Sequence, residues 1–275
     1  MAIDPILSYV HGPMRRVDGW FTRLDAELTA TIARHQADLE VTGSVGEIGV
    51  HHGRMFVALA LTMREGERAF AIDVFGDQHL NQDQSGHGDE MVFRENLARN
   101  GIDESRIAVI RGSSLDVNWA NIEAEVGAPA RLFSIDGGHT AAIVEHDLGI
   151  ADAGLGEAGV VIADDYFDSG YPGVSEGTAR FMLRNPDALR PFALGDSRMF
   201  LCRPEWTERY RRALGTGPLS KSHMRTAPMW GSVVSVFRTP RRVVDRIRGL
   251  AITRAVLGHP VGVRLEPLIR RLLTN

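Results

Sequence analysis

Between residues 14 and 38, Val17, Trp20, Phe21, Leu24, Leu28 and Ile32 recur near helical spacing with charged residues between them, which predicts one amphipathic helix. Beyond residue 40 the pattern changes. Short Val- and Ile-rich runs at 45–50, 69–74, 107–110, 131–135 and 160–163 alternate with helical stretches at 55–63, 89–100, 118–126 and 141–153. Residues 177–184 read as a further helix, and 192–194 with 198–202 as a closing strand pair. Such alternation predicts an α/β, doubly wound sheet, mostly parallel, with helices on both faces. Three segments follow: an N-terminal helical part at 1–40, a cofactor-binding domain at 41–203, and a partly helical extension at 204–275. In the extension, Val243, Val244, Ile247, Leu250, Ala251 and Leu257 share one helical face, with Arg241, Arg242, Arg246 and Arg248 elsewhere.

Charge changes the picture of that extension. Residues 204–275 carry 14 Lys and Arg against 4 Asp and Glu, a balance of +10, while residues 1–203 stand at −14. A basic tail suits an anionic partner, peripheral contact with a membrane surface, or docking on the acidic body, within one subunit or across a homo-oligomer. Composition narrows the classes further. No run approaches 18 apolar residues, so no transmembrane segment is expected. The first residues lack the basic start and apolar run of a secretory signal. Cys202 is the one cysteine, which excludes an internal disulfide and a cysteine-held zinc. A cytoplasmic protein is expected.

Candidate chemistry gathers where strands end. In V-G-E-I-G-V-H-H-G, residues 45–53, Glu47 and Gly49 close the first strand and Gly53 opens the next helix. Glycines there let the backbone turn tightly and approach a nucleotide-like ligand. The G-x-x-x-G spacing departs from G-x-G-x-x-G and argues against NAD. Asp73 ends the second strand, where an acid accepts hydrogen bonds from ribose hydroxyls. With Val50, His51, Ser113 and Asp136, these residues form the expected cofactor set. His51 and His52 are read as shaping the turn rather than as catalysts.

Asp136 ends the fourth strand in F-S-I-D-G-G-H, and Asp164 and Asp165 end the fifth in V-I-A-D-D-Y-F. Three acids at one sheet edge repel one another unless a cation joins them, and hard oxygen ligands suit Mg²⁺, Mn²⁺ or Ca²⁺. The alternative is helix capping by loop acids. His139, three residues after Asp136, is a candidate general base or a solvent-facing helix-start residue. The polar stretch 75–88, F-G-D-Q-H-L-N-Q-D-Q-S-G-H-G, is long enough to be a lid. Two matches are set aside. Gly154, Gly156 and Gly159 fit G-x-G-x-x-G but precede a strand, and are read as a loop. Gly173, Ser175 and Gly177 fit the hydrolase elbow but lack the strand it requires.

E-I-G-V-H-H-G resembles the first motif of class I S-adenosylmethionine-dependent methyltransferases, with Asp73 as the ribose acid and His51 standing where the family has its middle glycine. I-D-G-G-H with A-D-D-Y resembles the metal-dependent O-methyltransferases, among them catechol O-methyltransferase and bacterial enzymes that methylate antibiotic sugars. The 28 residues from Asp136 to Asp164 match that group's spacing. The resemblance covers residues 41–203. It implies a Rossmann-like sheet of seven strands, S-adenosylmethionine as cofactor, and a divalent metal, Mg²⁺ first, on Asp136, Asp164 and Asp165. Either His139 or Asp136 would take the proton of the acceptor hydroxyl. A sugar or glycosylated natural product, phosphorylated or lipid-linked forms included, is the expected acceptor. The alternatives are a small catechol-like phenol, a non-catalytic cofactor-binding or assembly module and, remotely, a serine hydrolase using Ser175. Nucleic acid is disfavoured, since no N-P-P-Y-type motif for a flipped base is present.

Overall fold

The computed structural model describes residues 4–239. The elements are, in chain order, α1 (Pro5–His11), α2 (Arg23–Asp38), β1 (Ser44–Ile48), α3 (Arg54–Ala60), β2 (Ala69–Asp73), α4 (Glu90–Arg99), β3 (Ile107–Arg111), α5 (Trp119–Val126), β4 (Ala130–Ile135), α6 (Ala141–Gly154), β5 (Leu155–Ala163), α7 (Pro172–Arg184), β6 (Arg190–Leu194), β7 (Met199–Cys202), α8 (Thr207–Leu214), β8 (His223–Met229) and β9 (Ser232–Phe237).

The expected helix over 14–38 is interrupted. Residues 13–16 form a 3₁₀ turn, Gly19 takes φ +136°, and the Thr22 side chain accepts the Asp25 N–H to start α2 afresh. The break leaves Val17 and Phe21 buried but Trp20 71% exposed.

One sheet runs in the order β3-β2-β1-β4-β5-β7-β6-β9-β8. The expectation of seven strands is corrected to nine, because residues 223–237 supply two more: β9 pairs parallel with β6, and β8 antiparallel with β9. Part of the stretch expected as a partly helical extension is therefore sheet, while the amphipathic pattern at 243–257 lies outside the described residues. The glycines at 154–159 are not a loop. They end α6 and open β5, and at Gly159 a Cβ would come within 2.6 Å of the Ala130 carbonyl oxygen. Among the described residues no helix is long and apolar enough to cross a membrane.

Side chains alternate across the sheet with the strand period of two. Ala69, Ala71, Leu132, Val160 and Ile162 face α1, α2, α3 and α8, and Phe70, Ile72, Phe133 and Val161 face α5, α6 and α7. Because β1, β2, β3, β4 and β5 are parallel, their carboxyl ends share one edge. β7 runs antiparallel to β5, so the residue before it, Arg198, arrives at that same edge.

Candidate active site

A cavity of about 760 Å³ opens at the carboxyl edge, within the size range of small-molecule sites. Of the expected cofactor set, Gly49, His51, Asp73, Ser113 and Asp136 line it, while Glu47, Val50 and Gly53 sit behind the wall. Gly49 has φ +84°, and a Cβ there would lie 1.8 Å from the Asp136 carbonyl oxygen. Only glycine allows the turn after β1 to press on the end of β4 in this way. His51 also takes a positive φ, +52°, which explains why a glycine is usual at this position. Its N–H donates to Asp73 Oδ2 at 2.7 Å, and the Phe75 N–H donates to Oδ1 at 2.6 Å. Burial pushes the Asp73 carboxyl up while these backbone donors pull it down. The Val50 backbone adds to these two donors. Glu47 accepts from the Ser134 hydroxyl on Oε1, but its Oε2 is buried without a partner, as is Arg198 Nη1. Burial drives the Glu47 carboxyl well above its usual range, against the nearby Arg198.

The three strand-end acids do not face one point. Asp164 Oδ1 accepts the Asp165 N–H at 2.9 Å, and its Oδ2 lies 2.8 Å from Arg198 Nη2. The same Nη2 reaches Asp136 Oδ2 at 2.9 Å and the Trp20 carbonyl oxygen at 2.9 Å. A fully buried guanidinium, rather than open space, therefore joins two of the expected metal ligands. Burial opposes the charge on Arg198, but Asp164, Asp136 and Glu47 outweigh it and hold the group protonated. Burial raises Asp164, but with a permanent cation 2.8 Å away we assign it as ionised. The donor atoms that do converge are those of Asp136, His139 and Asp165, all within 4.8 Å of one another. The two carboxylates offer oxygen donors that fit a divalent ion such as Mn²⁺ or Mg²⁺, with His139 beside them and the third expected ligand, Asp164, paired with Arg198.

His139 is gripped from two sides. Its Nδ1 lies 2.8 Å from Asp83 Oδ2, and its backbone N–H donates to the same oxygen at 2.5 Å. Nε2 is 3.4 Å from Asp165 Oδ2, and the Tyr171 ring stacks on the imidazole at 3.9 Å. Burial disfavours the imidazolium, yet the bonds to Asp165 and Asp83 outweigh it and raise the ring to about 8. Asp83, Tyr171, Trp20 and Arg198 are functional candidates that sequence reasoning missed. A signal existed for Asp83, in the long polar loop, and none for Arg198. Ser175 sits in the first turn of α7, and its hydroxyl donates to the Tyr166 carbonyl oxygen, so no nucleophile elbow is formed.

Residues 47–166 match the profile of a family described as a methyltransferase domain. That match spans less than half of the chain. Solved structures share its architecture. The O-methyltransferase NovP is 16% identical with a TM-score of 0.54, over 64% of this chain and 79% of its own. An O-methyltransferase from Bacillus cereus in complex with SAH is 17% identical, TM-score 0.51, over 74% and 92%. TomG from Streptomyces achromogenes, an O-methyltransferase of tomaymycin synthesis in complex with SAM, is 16% identical, TM-score 0.50, over 74% and 91%. At these identities the likeness is one of fold. No curated protein sequence matches the chain. The cavity also draws on parts outside the matched span, since Trp20, Phe21, Thr22 and Ser197 line it.

Proposed function

We propose that the protein transfers the methyl group of S-adenosylmethionine to a hydroxyl of a sugar or another polyhydroxylated acceptor, with His139 taking the hydroxyl proton. The observation that carries this reading is the convergence of His139, Asp136 and Asp165 in one cavity with the glycine turn. A proton acceptor thus stands beside the cofactor's place. The turn at Gly49 would admit the cofactor's backbone-facing side, the Asp73 carboxylate would accept from the ribose, and Ser113 would flank the adenosine end. A divalent ion on Asp136 and Asp165, with His139 close by, would supply charge that lowers the hydroxyl pKa and would orient two neighbouring oxygens. Holding hydroxyl and methyl in line removes much of the entropic barrier.

The acceptor side of the cavity is lined by Trp20, Gln78, Asn81, Gln82, Asp168 and Tyr171. Gln78 and Asn81 bond within their own loop, which leaves the Gln82 amide and the Asp168 carboxylate, with the Trp20 and Tyr171 rings, to suit a neutral polyol whose hydroxyls need partners and whose C–H face needs an apolar wall. Arg54 lines the cavity too, but its Nη1 is turned to the Val17 and Gly19 carbonyls, which favours a neutral acceptor over a phosphorylated one.

Methyl transfer from labelled S-adenosylmethionine to nucleotide sugars, glycosides and catechol, in chelator and then with Mg²⁺ or Mn²⁺ restored, tests the reading. Transfer to a sugar that vanishes in chelator and returns with metal is expected. Full activity in chelator would remove the metal and leave methyl transfer. Binding of S-adenosylhomocysteine with no transfer to any acceptor would favour the non-catalytic module. A separate expectation concerns the cofactor. Asp73→Ala should weaken S-adenosylhomocysteine about tenfold to a hundredfold, the scale of hydrogen bonds to a charged group. Calorimetry showing unchanged affinity would move the ribose elsewhere.

A further inference from the structure

We propose that Asp83, on the 75–88 loop, is the positioning acid for His139, so that the loop carries part of the proton-transfer machinery rather than only covering it. This rests on the methyl-transfer reading above. A neutral imidazole has one N–H, and whichever nitrogen carries it cannot accept a proton. Asp83 Oδ2 lies 2.8 Å from Nδ1 and also accepts the His139 backbone N–H, so the carboxylate meets ring and main chain together. A carboxylate only accepts, so a ring proton stands on Nδ1 against Asp83 at 2.8 Å; Nε2 faces Asp165 at the longer distance of 3.4 Å, which makes Nε2 the nitrogen that gives up its proton first and then accepts the hydroxyl's. Ser85 keeps the acid in place: its hydroxyl and its N–H both donate to Asp83 Oδ1, at 2.6 and 3.0 Å. The stack on Tyr171 fixes the ring plane, and Asp83 fixes rotation within it.

The loop that brings Asp83 is itself tied down. Asn81 Nδ2 donates to Gln78 Oε1 at 2.9 Å and to the Ser85 carbonyl oxygen at 2.8 Å. Arg111 pairs with Asp77 at the loop's start. Asp83 and His139 are 56 residues apart in the chain, so a contact at 2.8 Å is set by the docked loop and not by local sequence. In the reaction, the acceptor oxygen forms a bond to the methyl carbon as the carbon–sulfur bond breaks. The hydroxyl proton goes to Nε2, and the positive charge passes from the sulfonium to the imidazolium. Asp83 stays ionised and stabilises that imidazolium through Nδ1–H, the role an orienting acid plays in hydrolytic triads.

The test is a double-mutant cycle on the full chain. Asp83→Asn, which is isosteric, and Asp83→Ala should each lower kcat about tenfold to a hundredfold, the usual cost of losing a partner that orients a functional histidine. KM for S-adenosylmethionine and the affinity for S-adenosylhomocysteine should be unchanged. Asp83→Ala combined with His139→Ala should be no slower than His139→Ala alone, because an acid that acts through a base has nothing to lose once the base is gone. Losses that multiply, or an unimpaired kcat in Asp83→Asn, would overturn the proposal. If the wild-type protein methylates none of the probe acceptors, the functional reading falls first, and ¹⁵N spectra of His139 in the metal-free protein at alkaline pH decide the rest. A proton fixed on Nδ1 that becomes shared with Nε2 in Asp83→Ala supports the positioning role. A ring indifferent to Asp83→Ala refutes it.

Discussion

Arg198→Met is expected to cost about 3–5 kcal/mol of stability, the typical result of removing one partner from a buried ion pair. For a protein of this size that lowers Tm by on the order of 10 °C. The side chain is fully buried, and one nitrogen, Nη2, serves Asp136, Asp164 and the Trp20 carbonyl. Methionine fills a similar volume but leaves Asp164 ionised, buried and unpaired beside Asp136 and Glu47. Asp164→Asn in the Arg198→Met background should recover part of the loss, since removing both charges costs less than orphaning one. Arg198→Lys keeps the charge but loses the planar fork, and should fall between wild type and Arg198→Met. Thermal and urea unfolding measure the wild type and all three variants. A Met variant as stable as wild type would show that the acids are already neutral, and that the guanidinium does not hold the site together.

His139→Ala should lower kcat about 10²- to 10⁴-fold, the range for loss of a general base, with S-adenosylhomocysteine affinity unchanged. If the variant also loses metal affinity, the imidazole is a ligand and Asp136 becomes the base. The ring's elevation to about 8 sets two opposite pH trends in the metal-free protein. Folding gains from the imidazolium's bonds to Asp83 and Asp165, a contribution complete below the unfolded value of 6.5 and lost as pH rises through about 8. Proton acceptance runs the other way, because Nε2 is free only above that titration. Following the His139 ring protons by NMR against pH gives the inflection directly. An inflection at or below 6.5 would mean that Asp83 and Asp165 do not hold the ring as the geometry indicates.

What the sequence carried most clearly was the edge of the sheet. Gly49, Asp73, Asp136 and His139 were placed together because parallel strands end side by side, and strand ends can be read from apolar runs. For Asp164, spacing reports that it reaches the edge but not that its Oδ2 pairs with Arg198 there. Its partner, Arg198, lies 62 residues beyond Asp136 and arrives on an antiparallel strand whose insertion between β5 and β6 has no local pattern. The 14–38 helix failed at a glycine and a capping threonine inside a periodic stretch. The 154–159 glycines looked like a loop, but Gly159 serves close approach to Ala130 within the sheet. In the 75–88 loop, polar composition marked a functional segment, while the choice of Asp83 over Asp77 depends on how the loop docks.

The bond from Arg198 to the Trp20 carbonyl spans 178 residues, and the N–H groups of Asp196 and Ser197 donate to buried Asp25 across 171 and 172. During synthesis, at about 5–20 residues per second, the segment around Trp20 and Asp25 therefore waits on the order of ten to tens of seconds for the turn that anchors it. Until then the buried acid Asp25 has only the local Thr22 hydroxyl as a partner, and the wall this segment gives the cavity cannot form. Slowed elongation between β1 and β7 should accordingly prolong exposure of residues 17–25 to protease on the nascent chain, with β1 to β5 already able to pair.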